Sequence, residues 1–338
     1  MNGAGTGAGG GLSGGLAVVT GASGFVGSHI VDELLREGAR VRCILRSSSS
    51  HRWLTGKPIE IVTAPLPDAT RLAAAVAGAD WIVHAAGITH ARGPAEYHEA
   101  NVKGTERMLR AALTVQGLKR FVLISSQAAA GPSADGRPVV ETTLPQPVSP
   151  YGTSKLRSEE LAMLMRDQIP VVAIRPPAVY GPRDEAILKM FVAVKRHIQP
   201  VLRAQGRFSL IHAEDLARAV CLSLTHEGAP GEVFFAAEPD ETDYDQMGRS
   251  VKEAMRTWAV RVQVPGFLLF AGALAGEMVG GIFGTAPFLN RDKLREIGSG
   301  DWICSSEKIR SRLGWAPKIS ARDGILATAE WYRQAGWV

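Results

Sequence analysis

Tyr151 and Lys155 stand four residues apart in Tyr151-Gly152-Thr153-Ser154-Lys155, a stretch that reads as the start of a helix running to about Arg166. At that spacing the two side chains project from one helical face, a turn apart. A tyrosine titrates near ~10, too high for a good base at neutral pH, and an adjacent ammonium favours the phenolate and draws that value down. Ser126 closes an apolar run, Phe121-Val122-Leu123-Ile124-Ser125-Ser126, that reads as a strand. Its hydroxyl could hydrogen-bond the same substrate oxygen. The three together suit moving a proton to or from a carbinol or carbonyl oxygen. A tyrosine and a lysine at this spacing also occur as a surface pair, so the surrounding elements must decide.

The deciding stretch lies near the N-terminus. Leu16 to Val19 reads as a buried strand, and Ile30 to Leu35 carries a helical pattern. Between them, Gly21, Gly24 and Gly27 allow a tight turn, close approach of a pyrophosphate and close packing of helix on strand. The amides of Ser23, Gly24, Phe25, Val26 and Gly27 then face a phosphate at the positive end of the helix. This predicts dinucleotide binding, with a Gly-rich structural turn as the alternative. A nicotinamide would move the hydride while Tyr151 moves the proton.

Further strands are expected at Arg40–Arg46, Ile59–Thr63, Trp81–Gly87 and Val171–Arg175. Ala85 and Ala86 are small residues at a strand end, where a cofactor can pass close to the backbone. The second strand ends in Arg46, followed by Ser47 to Ser50, rather than in the acidic residue that takes ribose hydroxyls. Arginine with hydroxyl donors suits a 2′-phosphate, which favours NADP(H) over NAD(H); an ordinary loop arginine is the alternative. Strands alternating with helices predict an α/β fold, a Rossmann-type doubly wound parallel sheet with a smaller C-terminal substrate-binding lobe. The expected divisions are a flexible Gly-rich tail at 1–15, a dinucleotide-binding domain at 16–180, and a region at 181–338 that is mainly lobe, with elements returning to the sheet.

The 338 residues carry a net charge of +5, with no basic run that would mark a nucleic-acid partner. The three cysteines, Cys43, Cys221 and Cys304, lack metal-ligand spacing and read as buried thiols in a reducing cytoplasm, with no metal site. The tail lacks the charged start and apolar core of a signal peptide. Phe267 to Phe283 is nearly all apolar, but Glu277 interrupts it, which argues for a buried or amphipathic helix rather than a membrane span. Peripheral membrane contact is left open by that stretch.

Taken together, the chain resembles the extended branch of the short-chain dehydrogenase/reductase superfamily, the epimerase/dehydratase type, from about Leu16 to Trp337. TGASGFVG at Thr20–Gly27, HAAG at His84–Gly87, NVKGT at Asn101–Thr105, YGTSK at Tyr151–Lys155 and RPPAVYGP at Arg175–Pro182 carry the resemblance. SLIHAEDLARA at Ser209–Ala219 and LGWAP at Leu313–Pro317 extend it. The resemblance implies that Tyr151 is the acid/base, that Lys155 lowers its pKa and holds the nicotinamide ribose, and that Ser126 orients the substrate oxygen. It implies that Pro176, Ala178 and Val179 line the nicotinamide. Asn101 reads either as a support behind the lysine or as a helix cap. His212 and Asp215 are better explained by a helix start, and Trp331, Tyr332 and Trp337 by packing.

Departures from the family pattern narrow the reaction. Gln127-Ala128 stands where sugar-nucleotide dehydratases carry Asp-Glu, and Ala178 where sugar-nucleotide epimerases often carry a diphosphate-binding asparagine. Ala64-Pro65 replaces an acidic adenine contact. With Arg42 and Arg46, these features resemble the carbonyl reductases and hydroxysteroid-type dehydrogenases of the branch. The expected activity is reversible carbonyl/alcohol conversion on a fairly apolar small molecule, with a homodimer implied by the resemblance. A nucleotide-sugar epimerase using Lys195, Arg203 and Arg207 is the alternative, and a non-catalytic dinucleotide sensor a third reading.

Overall fold

The computed structural model describes residues 11–202, 206–265 and 291–338. Its main sheet has seven strands: β1 (Leu16–Thr20), β2 (Arg40–Leu45), β3 (Ile59–Thr63), β4 (Trp81–His84), β5 (Arg120–Ile124), β6 (Val171–Arg175) and β10 (Val233–Phe235). They lie in the order β10-β6-β5-β4-β1-β2-β3, and every neighbouring pair is parallel. β1, β4, β5 and β6 are buried along their whole length. Burial on both faces is why these strands read as continuous apolar runs rather than alternating ones.

Successive residues of a strand point to opposite faces, so each strand feeds two cores. Val19 and Val83 meet Ile30 and Leu34 of α1 (Phe25–Arg36), Leu216 and Val220 of α7 (Ala213–Thr225), and Leu313 of α10 (Glu307–Leu313). Val18 and Ile82 meet Leu72 of α2 (Ala69–Val76), Met108 of α4 (Gly104–Ala112) and Ala162 of α5 (Pro150–Leu164). α4 is preceded by the short helix α3 (Pro94–Tyr97) and a wider π-helical turn, His98–Lys103.

The second half builds a lobe. Three strands, β7 (Ala178–Tyr180), β9 (Phe208–His212) and β11 (Glu241–Thr242), form one small sheet, and β8 (Ile198–Leu202) pairs in parallel with β12 (Val260–Val264). Helices α6 (Glu185–Lys195), α8 (Tyr244–Met255), α9 (Arg291–Gly298) and α11 (Ala321–Gln334) complete it. Tyr180, Phe191, Met247, Val251, Ile325 and Tyr332 are its buried centre. Within this half the sequence itself carries helical patterns near 186–196 and 213–224, and these are α6 and α7. β7, β8, β11, β12 and α8 had no expectation, because elements of two to five residues, or helices with a polar surface, take their order from lobe contacts.

His212 caps α7, its Nδ1 accepting from the Glu214 amide at 3.3 Å. Asp215 accepts from the amides of Lys318 and Ile319 at 2.7 and 3.0 Å. Both residues are therefore structural. Trp331, Tyr332 and Trp337 pack together, with Tyr332 stacked on Trp337 at 5.6 Å. All three cysteines are buried and unpaired. The first ten residues of the tail, Arg203 and the Phe267–Phe283 stretch lie outside the described residues.

Candidate active site

Because the strands are parallel, the residues after β1, β2, β4, β5 and β6 emerge on one edge of the sheet. The chain order reverses between β1 and β4, which opens a crevice at that edge. Gly21 leaves β1 at φ +71°, and a Cβ there would stand 2.6 Å from the backbone of Ala85 and Ala86. A Cβ at Gly27 would stand 2.1 Å from the Gly21 carbonyl oxygen, so this glycine sets how closely α1 seats on the turn. Gly24 is the extended N-cap of α1, makes no side-chain cap, and is followed by no acidic residue in the first turn. The first amides of a helix have no partner inside it. Those of α1 thus meet the crevice with their positive dipole end, and this cradle fits a pyrophosphate. Thr20 and His84 brace it: their side chains hydrogen-bond at 2.7 Å, and the Ala86 amide donates to Thr20 Oγ1 at 3.3 Å. Burial holds the His84 imidazole neutral, its pKa down to about 3.

Across the crevice, α5 begins at Pro150, with Ser149 capping it by accepting from the Gly152 amide at 3.0 Å. The buried side of this helix is polar: Ser154, Lys155, Ser158 and Glu159 all face inward. That pattern contradicts what packing alone would select. Tyr151 is half-buried and hydrogen-bonded to Ser126. Ser126 Oγ accepts from the Ala128 amide at 3.1 Å, which leaves its proton to donate. Lys155 Nζ donates to the Ile124 carbonyl at 2.6 Å, at the end of β5. The structure therefore joins Tyr151 to Ser126 and anchors Lys155 two residues before Ser126, at the end of β5.

Their titration differs from the expectation of a lowered tyrosine. Burial pushes the Tyr151 phenol up to about 12; the Ser126 hydrogen bond opposes this, and the charge of Glu296 adds to it. Burial also lowers Lys155 to about 8, with Glu159 partly offsetting it. A fall from 10.5 to about 8 is worth roughly 3 kcal/mol in favour of the neutral amine. At neutral pH Tyr151 is thus a neutral phenol and Lys155 an ammonium.

Two supporting acids, Glu159 and Glu296, were not visible in the sequence, whereas Asn101 was singled out there as a support or a cap. Glu159 is clamped by Arg175, whose Nε and Nη2 donate at 3.0 and 2.6 Å, and also accepts from Ser125 Oγ. Asn101 is no helix cap. It lies in the π turn, where its side chain accepts from the Ile88 amide at 2.8 Å and donates to Ser154 Oγ at 2.9 Å. It thereby ties the loop after β4 to α5. Glu296 of α9 accepts from Ser149 Oγ at 2.7 Å and brings a lobe carboxylate to the start of α5. No local pattern announces these contacts, since each joins residues brought together only by the fold.

Arg46 and Arg42 separate in role. Arg42 donates to Glu60 at 2.7 Å and to the carbonyls of Ala75 and Ala77, which closes the end of α2. Arg46 is exposed just past β2, beside the glycine turn, and its guanidinium has no partner among the described residues. Trp53, from the loop that follows, lies 5.7 Å from Trp331, so the C-terminal aromatic cluster pins this loop. Pro176 accepts from the Gln127 amide at 2.8 Å, beside Ser126, with Ala178 and Val179 following on β7.

The sequence profile of the NAD dependent epimerase/dehydratase family matches residues 17–237. A ceramide reductase of Caulobacter vibrioides is 31% identical over 328 residues, 96% of each chain. A 4-hydroxy-2-methyl-3-oxo-4-farnesyl-3,4-dihydroquinoline-1-oxide ketoreductase of Stigmatella aurantiaca is 28% identical, covering 94% of this chain and 96% of that one. In fold, the chain is similar to the UDP-glucose 4-epimerase of Thermotoga maritima, with a TM-score of 0.79, 23% identity, and coverage of 95% and 99%.

Proposed function

This chain belongs to the NAD dependent epimerase/dehydratase family, and we propose that it reduces the carbonyl of a fairly apolar substrate with NADP(H) as an exchangeable cosubstrate. The observation that carries the reading is the Ser126–Tyr151–Lys155 cluster, set across the crevice from the glycine cradle. When bound, the nicotinamide supplies the hydride. Gly21, Ser23, Gly24, Phe25, Val26 and Gly27 would hold the pyrophosphate, Ala85 and Ala86 would let the cofactor pass, and Pro176, Ala178 and Val179 would line its nicotinamide end.

The proton comes from the chain. Ser126 donates to the substrate oxygen and orients the carbonyl, and Tyr151 gives up its phenolic proton to that oxygen as the carbon receives hydride. Lys155, charged below about pH 8, stabilises the phenolate left behind. A phenol held at about 12 stays protonated across neutral pH, which suits the reducing direction. Arg46 would take the 2′-phosphate. The reductase and ketoreductase relatives, which match nearly the whole chain, support this chemistry over epimerisation.

A second observation weighs against a nucleotide-sugar substrate. Arg207 is spent on Asp301, Glu241 and the Gly136 carbonyl at 2.6, 2.6 and 2.8 Å. The test is to identify by mass the nucleotide released from freshly purified protein and to titrate the protein with NADPH and NADH. An exchangeable site preferring NADPH supports the proposal; tightly retained NAD overturns it in favour of an epimerase.

A further inference from the structure

We propose that the outward face of the β8–β12 ribbon, with Trp258 and the cations around it, is a docking surface for an anionic lipid bilayer. The parallel register sets Ile198 beside Val260 and Pro200 beside Val262. Gln199, on the opposite face, is fully buried and donates to Asp245 of α8 at 3.1 Å. Strand alternation therefore turns Ile198, Pro200, Val260 and Val262 away from the lobe. Ile198, Val260 and Val262 are 45, 59 and 42% exposed, and Trp258 is 63% exposed. Trp258 is held out flat by stacking on His197 at 4.0 Å. An apolar strip this continuous on a two-stranded ribbon marks an interaction surface rather than scattered surface residues.

Charge identifies the partner. Trp258 walls a shallow depression with Arg249, Lys252, Glu253 and Arg256. Arg196 neighbours His197, whereas Arg261, in register with Gln199, turns to Asp245 on the lobe side. The two nearby acids are already neutralised: Glu253 pairs with Arg322, and Asp245 with Arg249 and Arg261. Lys252, Arg256, Lys195 and Arg196 make no ion pair among the described residues. An apolar strip bearing an exposed indole and fringed by cations matches a bilayer interface: the ring sits at headgroup depth and the cations meet anionic phosphates. A second copy placed symmetrically on this face would oppose cation to cation. Among the described residues no helix is long and apolar enough to cross a membrane, so this contact is peripheral. Phe267–Phe283 lies outside the described residues and carries no part of the proposal.

The test is co-sedimentation of the full chain with phosphatidylcholine vesicles, with or without phosphatidylglycerol. Wild type is expected to pellet with the anionic vesicles and to be released by salt. Lys252→Glu and Arg256→Glu should each weaken binding about fivefold or more, and a Trp258→Ala/Val260→Ser/Val262→Ser variant should weaken it further. Brominated lipid should quench wild-type fluorescence more than that of Trp258→Phe. Circular dichroism and a urea unfolding curve confirm that the variants are folded. The proposal fails if folded wild type stays in solution with anionic vesicles, if the variants pellet as wild type does, or if the face instead mediates self-association that Trp258→Ala abolishes. None of these readouts needs turnover, so the result is independent of the reductase reading.

Discussion

Replacing Gly152 with alanine should damage catalysis far more than stability. Gly152 follows Tyr151 on α5, and a Cβ there would stand 2.3 Å from the Ala128 carbonyl oxygen and 3.2 Å from Pro147 Cβ. Both atoms belong to chain packed against the start of the helix, so neither is a flexible side-chain end that can swing aside. Relief to an ordinary contact near 3.4 Å requires α5 and the Ser126 turn to part by about 1 Å. Overpacking of this kind costs ~1–3 kcal/mol, and the better helix propensity of alanine offsets about 1 kcal/mol. The net loss of stability is then at most about 2 kcal/mol. The same movement pulls Tyr151 from Ser126, and a displacement near ~1 Å is worth about 100-fold in rate. The assay is kcat/KM for ketone reduction, read beside NADPH affinity and a urea unfolding curve. A variant that keeps kcat/KM within about threefold of wild type would refute the reasoning, because the close approach would then not position the tyrosine.

Three other outcomes follow from the same geometry. Tyr151→Phe should lower kcat by about a thousandfold while NADPH still binds, as fluorescence titration can check. Arg46→Ala should weaken NADPH about tenfold or more and leave NADH unchanged, since only the 2′-phosphate meets that guanidinium; equal loss for both nucleotides would contradict the assignment. Wild-type activity should fall as pH rises through about 8, where Lys155 loses its proton. Glu159→Gln should move that fall to lower pH, because Glu159 supports the charged amine against burial while the nearby His84 is neutral. Breaking the buried pair with Arg175 should also cost ~3–5 kcal/mol. A Glu159→Gln/Arg175→Met variant, which removes the stranded charge, should recover stability but not the pH profile.

The sheet was legible because its strands are short apolar runs set off by glycine and helical patterns, and Ile59–Thr63 emerged as read. As a candidate set, Ser126, Tyr151 and Lys155 were legible because one spacing on one helix, and one strand end, mark them out. Glu296, 145 positions beyond Tyr151, was not, since nothing local to α9 records that it reaches Ser149. The titration of Tyr151 was misjudged for a related reason. The sequence places a cation one turn away, but the dominant influence is burial, with the charge of Glu296, distant in sequence, adding to it. Arg42 and Arg46 stand four residues apart in one strand pattern, and only the position of Glu60 separates the paired arginine from the one left exposed past the strand end.

The most direct test of the central claim is the fate of the hydride. The enzyme would be given NADPH deuterated at the transferable position and a long-chain ketone, with products analysed by mass spectrometry. Deuterium on the new carbinol carbon, one atom per NADP+ formed and appearing about a thousandfold more slowly with Tyr151→Phe, is the predicted result. Label that never reaches the alcohol, with a nucleotide that stays bound and unchanged through turnover, would contradict it.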